Sequence, residues 1–209
     1  MQGDRSQLRQ DWLKTALGEA LLRQEARVVE EALDGIFGEE CLQLGMWGEK
    51  RTFMRFSRTQ RCSLIAETAD GEPSAIGEMH RLPVESDSLD AVLLPHTLDY
   101  TDRHHAILRE VDRVLRSNGH LVILGLKPGG LWGLRRLVPG AGLPPGADSL
   151  ISDRRLKDWL QLLDMRIQNS SHYFFHGPLP GNKARGSSKW ERRGEAWWPE
   201  LAACYMLTA

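Results

Sequence analysis

Cysteine is scarce. Cys41, Cys62 and Cys204 are the three in 209 residues, far apart, with no CxxC pair and no histidine at zinc-ligand spacing. That excludes a disulfide scaffold and a zinc site legible in sequence, so no metal is expected, and it suits free thiols in a reducing compartment. No stretch approaches the roughly 18 uninterrupted apolar residues of a membrane span. The first twenty residues mix charged and apolar side chains without a signal-peptide pattern. A cytoplasmic location with no membrane partner is the expectation. An excess of either charge is also lacking: 27 Lys+Arg stand against 28 Asp+Glu, net −1, so nothing global calls for nucleic acid. There is no G-x-G-x-x-G turn, which disfavours a nicotinamide cofactor. Internal repeats and a dividing linker are absent too.

What is present is ordinary for a globular chain, 41% hydrophobic and 26% charged, enough for one core over residues 1–209. Apolar residues at spacings of three and four predict helix over 6–37, as one helix or two, with Gly18 weakening its middle and Gly38 ending it. Strands are predicted at Cys41–Leu44, Cys62–Ala66, Ser74–Gly77, Leu89–Leu94, His120–Leu126, Arg166–Phe175 and Ala202–Thr208. Helices are predicted at Arg51–Gln60, Asp102–Leu115 (closed by Asn118-Gly119), and from a Ser152 or Asp153 cap to about Met165. Strands alternating with helices indicate a mostly parallel α/β sheet, whose ligands bind at the carboxyl ends of the strands.

The stretch Gly77–Gly125 holds, in order, Glu78, Leu82-Pro83, Asp87-Ser88-Leu89-Asp90, Arg113-Val114-Leu115 and Asn118-Gly119. It resembles the central block of class I S-adenosylmethionine-dependent methyltransferases, in particular the type 11 domain. The resemblance implies a Rossmann-like sheet, mostly parallel with an antiparallel last strand and helices on both faces. The chain then divides into an N-terminal helical cap at 1–38, a cofactor-binding half at 39–126, and a substrate-side loop with C-terminal helix and strands at 127–209. It also implies S-adenosyl-L-methionine as cofactor and a small-molecule methyl acceptor. Upstream the pattern departs: the glycine motif is Gln43-Leu44-Gly45-Met46-Trp47-Gly48-Glu49, with Trp47 and Glu49 where glycines are expected.

On this resemblance Gln43, Gly45, Gly48, Glu67, Glu78, Met79, Leu94 and Pro95 bind the cofactor. Glu78 would take the adenine amino group, Met79 would cover the ring, and Glu67 would hold the ribose. Only ten residues separate Glu67 from Glu78, short for a parallel crossover. His96, directly after the fourth strand, is the general-base candidate, with Asp99, Tyr100, His104 and His105 nearby. Tyr100, Trp132 and Arg135 face the acceptor. Two alternatives remain open. One is a non-catalytic relative that kept the sheet, suggested by the altered turn. The other is an RNA-modifying enzyme using Lys183–Arg193 with Trp190.

Overall fold

The structure, a computed structural model, describes residues 2–130, 132, 144–175 and 202–209. Two helices open the chain, α1 (Gln2–Leu13) and α2 (Ala16–Leu33). Then come β1 (Phe37–Leu44), α3 (Arg51–Met54), β2 (Arg58–Ala66), β3 (Ala75–Ile76) and β4 (Leu89–Pro95). After a 3-10 turn at Thr97–Tyr100 follow α4 (His104–Val114), β5 (Leu115–Leu126), α5 (Asp153–Leu162), β6 (Asn169–Tyr173) and β7 (Cys204–Thr208). Seven strands form one sheet in the order β3-β2-β1-β4-β5-β7-β6. The pairings are parallel except that β7 runs antiparallel to both β5 and β6. This is the fold expected from sequence.

Strand side chains alternate between faces, and the sheet uses both. Leu42, Leu44, Val92, Leu94, Leu121 and Ile123 pack with Ile107, Val111, Leu156 and Leu160 of α4 and α5. Cys41, Ala91, Leu93, Val122 and Leu124 pack on the other side with Leu21, Val29 and Leu33 of α2. A sheet covered on both faces explains why these strands read as unbroken apolar runs.

The predicted 6–37 helix is two helices, and Gly18 is not the break. Thr15 caps α2, accepting a hydrogen bond from the Gly18 N–H, and a Cβ on Gly18 would lie 2.4 Å from the Trp12 carbonyl oxygen. The glycine is there for close packing at the corner. The helix also stops earlier than its apolar spacing suggested: Phe37 opens β1 and is 66% exposed. Arg51–Gln60 shrinks to the four residues of α3 before β2 begins. Asn118-Gly119 does not close α4, which runs directly into β5; the pair lies in a register shift opposite Leu89 and Ala91. Between β2 and β3 there is no helix, and the chain crosses there within the short Glu67–Glu78 spacing.

Candidate functional site

The carboxyl ends of β1, β2 and β4 meet at one rim. Gly45 follows β1 at φ +87°, with its N–H engaged by the Ile65 carbonyl at 2.8 Å. A Cβ there would come within 3.1 Å of Thr97 Oγ1 and 3.5 Å of Met79 Cε, so only glycine leaves this space open. The space is a cavity of about 200 Å³ walled by Gly45, Trp47, Glu67, Met79, Pro95, His96 and Tyr100, with Arg5 and Arg9 of α1 along its side. A second hollow of about 520 Å³, lined by Gly77, Glu78, His80 and Arg103, adjoins it through Glu67, Tyr100 and Thr101. Together they form a groove across the strand ends.

Beneath the cavity lies a buried polar cluster. His96 sits in the left-handed region at φ +57°, costly for a residue with a Cβ. Two carboxylates hold its ring: Nδ1 is 2.8 Å from Asp99 Oδ2 and Nε2 is 2.6 Å from Glu25 Oε1, all three side chains being buried. Trp47 Nε1 donates to Glu25 Oε2 at 2.7 Å, Tyr173 donates its hydroxyl to Glu25, and the Leu126 N–H donates to Asp99. Burial alone would lower the His96 pKa, but the fields and hydrogen bonds of Glu25 and Asp99 outweigh it and hold the ring at about 9. Burial pushes the Asp99 carboxyl up against the opposing pull of His96. The Cys204 thiol, also pushed up by burial, brings a ligand atom within 4.8 Å of Glu25 and His96. At 2.6 Å, however, His96 and Glu25 are in hydrogen-bond contact with no room for an ion between them.

The residues singled out from sequence are distributed as follows. Gly45, Met79, Pro95 and His96 line the first cavity, Glu78 lines the second, and Glu67 and Tyr100 line both. The Glu78 side chain is largely exposed, 3.4 Å from His80. Gln43 donates Nε2 to the Gly45 carbonyl at 3.0 Å and leaves its buried Oε1 without a partner. Gly48 faces α2, where a Cβ would meet Thr52 and Leu22, and Leu94 is buried in the core under α4. Trp132 is buried edge-on against Trp12 and Phe174, away from the groove. Among the other candidates, Asp99 belongs to the buried cluster, His104 Nε2 lies 3.1 Å from the Leu98 carbonyl, and His105 stacks on Trp159. Arg135 and the segment Lys183–Arg193 lie outside the described residues.

Sequence reasoning missed Glu25 and Arg9. For Glu25 a signal existed: Leu21, Glu25, Val29 and Leu33 recur every four residues, placing a carboxylate inside the apolar stripe of α2. For Arg9 there was none, since a helical arginine is ordinarily solvated. Trp47 was seen as an intruder in the glycine motif. It is instead a wall, 1% exposed, its indole centroid 4.3 Å from the His96 ring and 6.0 Å from Tyr100.

Residues 53–123 match the methyltransferase domain family; the match starts within α3 and so leaves out β1 and the divergent turn. The uncharacterized protein YafS of Escherichia coli K12 is 37% identical over 121 residues, 57% of this chain and 49% of that protein. The chain thus spans about half the length of the curated relative it matches. An S-adenosylmethionine-dependent methyltransferase of Thermotoga maritima superposes with a TM-score of 0.62 at 15% identity, covering 90% of this chain and 89% of the other. Geranyl diphosphate C-methyltransferase of Streptomyces coelicolor A3(2), solved with Mg²⁺, geranyl diphosphate and S-adenosyl-L-homocysteine, gives 0.60 at 13% identity, covering 88% and 76%. At these identities the structural likeness is one of fold.

Proposed function

We propose, from the premise that residues 53–123 are a methyltransferase domain set in a class I sheet, that the protein transfers a methyl group from S-adenosylmethionine to a small acceptor at the rim groove. The carrying observation is the convergence of Gly45, Glu67 and Met79 on one cavity at the carboxyl ends of β1, β2 and β4.

The residues present fit the cofactor. Gly45 keeps open a cradle that a Cβ would fill, the buried Gln43 Oε1 lacks a partner, and Glu67 stands at the end of β2 with both hollows before it. In this reading Glu67 takes the ribose hydroxyls, Met79 covers the adenine, Glu78 takes its amino group, and the Gly45 backbone lies against the methionine end. Bound there, the cofactor supplies an electrophilic methyl group on a sulfonium sulfur. The chain's part is positioning: holding donor and acceptor in line at near-attack distance removes about 7–11 kcal/mol of a bimolecular barrier. His96 holds its proton at neutral pH and has both ring nitrogens engaged, so it serves as a charged post under Trp47. No residue is assigned to take the acceptor's proton. The near-neutral net charge of −1 supports a small acceptor over a nucleic acid. Among the described residues no helix is long and apolar enough to cross a membrane, and the three cysteines are free, which supports a cytoplasmic place of action.

The altered Gly45–Glu49 turn and the absence of a helix between β2 and β3 favour a second reading, a non-catalytic relative that kept the sheet as a binding or scaffolding protein. Calorimetric titration with S-adenosylmethionine and S-adenosylhomocysteine tests both. Micromolar binding is expected, and silence at millimolar ligand removes the enzyme and leaves the non-catalytic relative. Release of S-adenosylhomocysteine when an acceptor mixture is added separates the enzyme from the scaffold.

A further inference from the structure

S-adenosylmethionine ends in a carboxylate, and the usual receiver at such a rim is a helix N-terminus or a glycine turn of free N–H groups. In this chain the receiver at the turn is reduced. The helix after β1 has four residues, and Gly45 has its N–H bound to Ile65. Full positive charge at the cavity comes from another element, α1.

Two arginines of α1 line the cavity, one turn apart, in different states. Arg5 is exposed and lies 3.5 Å from Asp148. Arg9 is largely buried, its guanidinium carbon 4.5 Å above the Tyr100 ring centroid and its Nε without a hydrogen-bond partner. Among the described residues no carboxylate lies within ion-pair distance of it; Asp70 and Glu67 act on it only through their fields. Burial lowers its pKa against the opposing fields of Tyr100, Asp70 and Glu67. The Tyr100 hydroxyl beside it is likewise buried and unpartnered. The Arg9 Nε has left water without meeting an acceptor, and the guanidinium fork matches a carboxylate.

Resting on the cofactor reading above, we infer that Arg9 is the carboxylate clamp of the cavity: it receives the aminoacyl carboxylate of S-adenosylmethionine. The N-terminal cap is then part of the cofactor site.

The test compares S-adenosylmethionine with decarboxylated S-adenosylmethionine, which differs by the carboxylate alone, by calorimetry without acceptor. Wild type is expected to prefer the complete cofactor by about 10- to 100-fold, as suits a buried charge-assisted pair. Arg9→Met should erase that preference while leaving the decarboxylated ligand's Kd within about twofold, which also shows that the variant folds. Arg9→Lys should restore part of it, and Arg23→Met, on α2 away from the cavity, should leave it intact. The inference is overturned if Arg9→Met weakens both ligands equally or neither, or if Arg5→Met alone erases the preference. If wild type binds the decarboxylated ligand as well as the complete one, the clamp is wrong and the cofactor reading stands. If it binds neither, both fall.

Discussion

At the residue scale, one glycine and one histidine set the site. Gly45 combines a left-handed φ with close neighbours on the cavity side, so Gly45→Ala should cost about 1–2 kcal/mol of stability. It should also raise the S-adenosylmethionine Kd at least about 10-fold, because its methyl occupies the cradle; a denaturant melt and a titration measure the two effects separately. His96 makes folding proton-linked. Its folded pKa of about 9 lies above the ordinary 6.5, so its contribution is complete below about 6.5 and is lost as pH rises through 9. The gap corresponds to about 3 kcal/mol, an upper figure for a ring shared between two carboxylates. Thermal melts should therefore fall between pH 6.5 and 9 in wild type and stay nearly flat in His96→Gln; a wild-type curve flat over that interval would refute the charged state. The sequence did single out His96, but for proton abstraction. Its burial depends on Glu25, 71 positions away, which an assignment by distance along the chain does not see.

At the element scale, the corner between α1 and α2 is the most demanding junction. A methyl at Gly18 would fall 2.4 Å from one backbone atom of α1 and 2.5 Å from another, so α1 must move away to admit it. Gly18→Ala, a helix-favouring change by propensity, is thus expected to destabilise the chain by about 2 kcal/mol or more. It should also open the Lys14-Thr15 link to protease. Thr15→Ala, which removes the cap bond and the hydroxyl's own bond to the Trp12 carbonyl but adds no clash, should cost about 1 kcal/mol. Equal effects would mean that the corner is held by capping and not by packing. This is also where sequence was least legible. Apolar spacing reports which face of a helix is covered but not where a helix turns, so Gly18 read as a weak point and Phe37 as helix. Strands β4 and β5 were legible because a sheet covered on both faces needs continuous apolar runs.

At the scale of the whole molecule, the cap and the sheet share a buried anchor and a cavity wall. Glu25 of α2 reaches His96 after β4, Trp47 after β1 and Tyr173 of β6, so the second helix cannot leave without stranding charges. The first helix, α1, is tied more lightly: its buried polar atoms include unpartnered groups on Arg9 and Gln10. The order of elements and the central block could be read from residues 77–125, since each piece is local. The groove could not, because α1 and the ends of four strands meet there only after folding. A ligand in that groove should act on the two parts differently. At 100 times its Kd a ligand adds about 2.7 kcal/mol, which for a chain of this size raises Tm by about 5–10 °C. Amide exchange in α1 should slow as well, while exchange in α2, already fixed by Glu25, should change little. A Tm rise without protection of α1 would place the cofactor in the Glu78 hollow alone and take the cap out of the site.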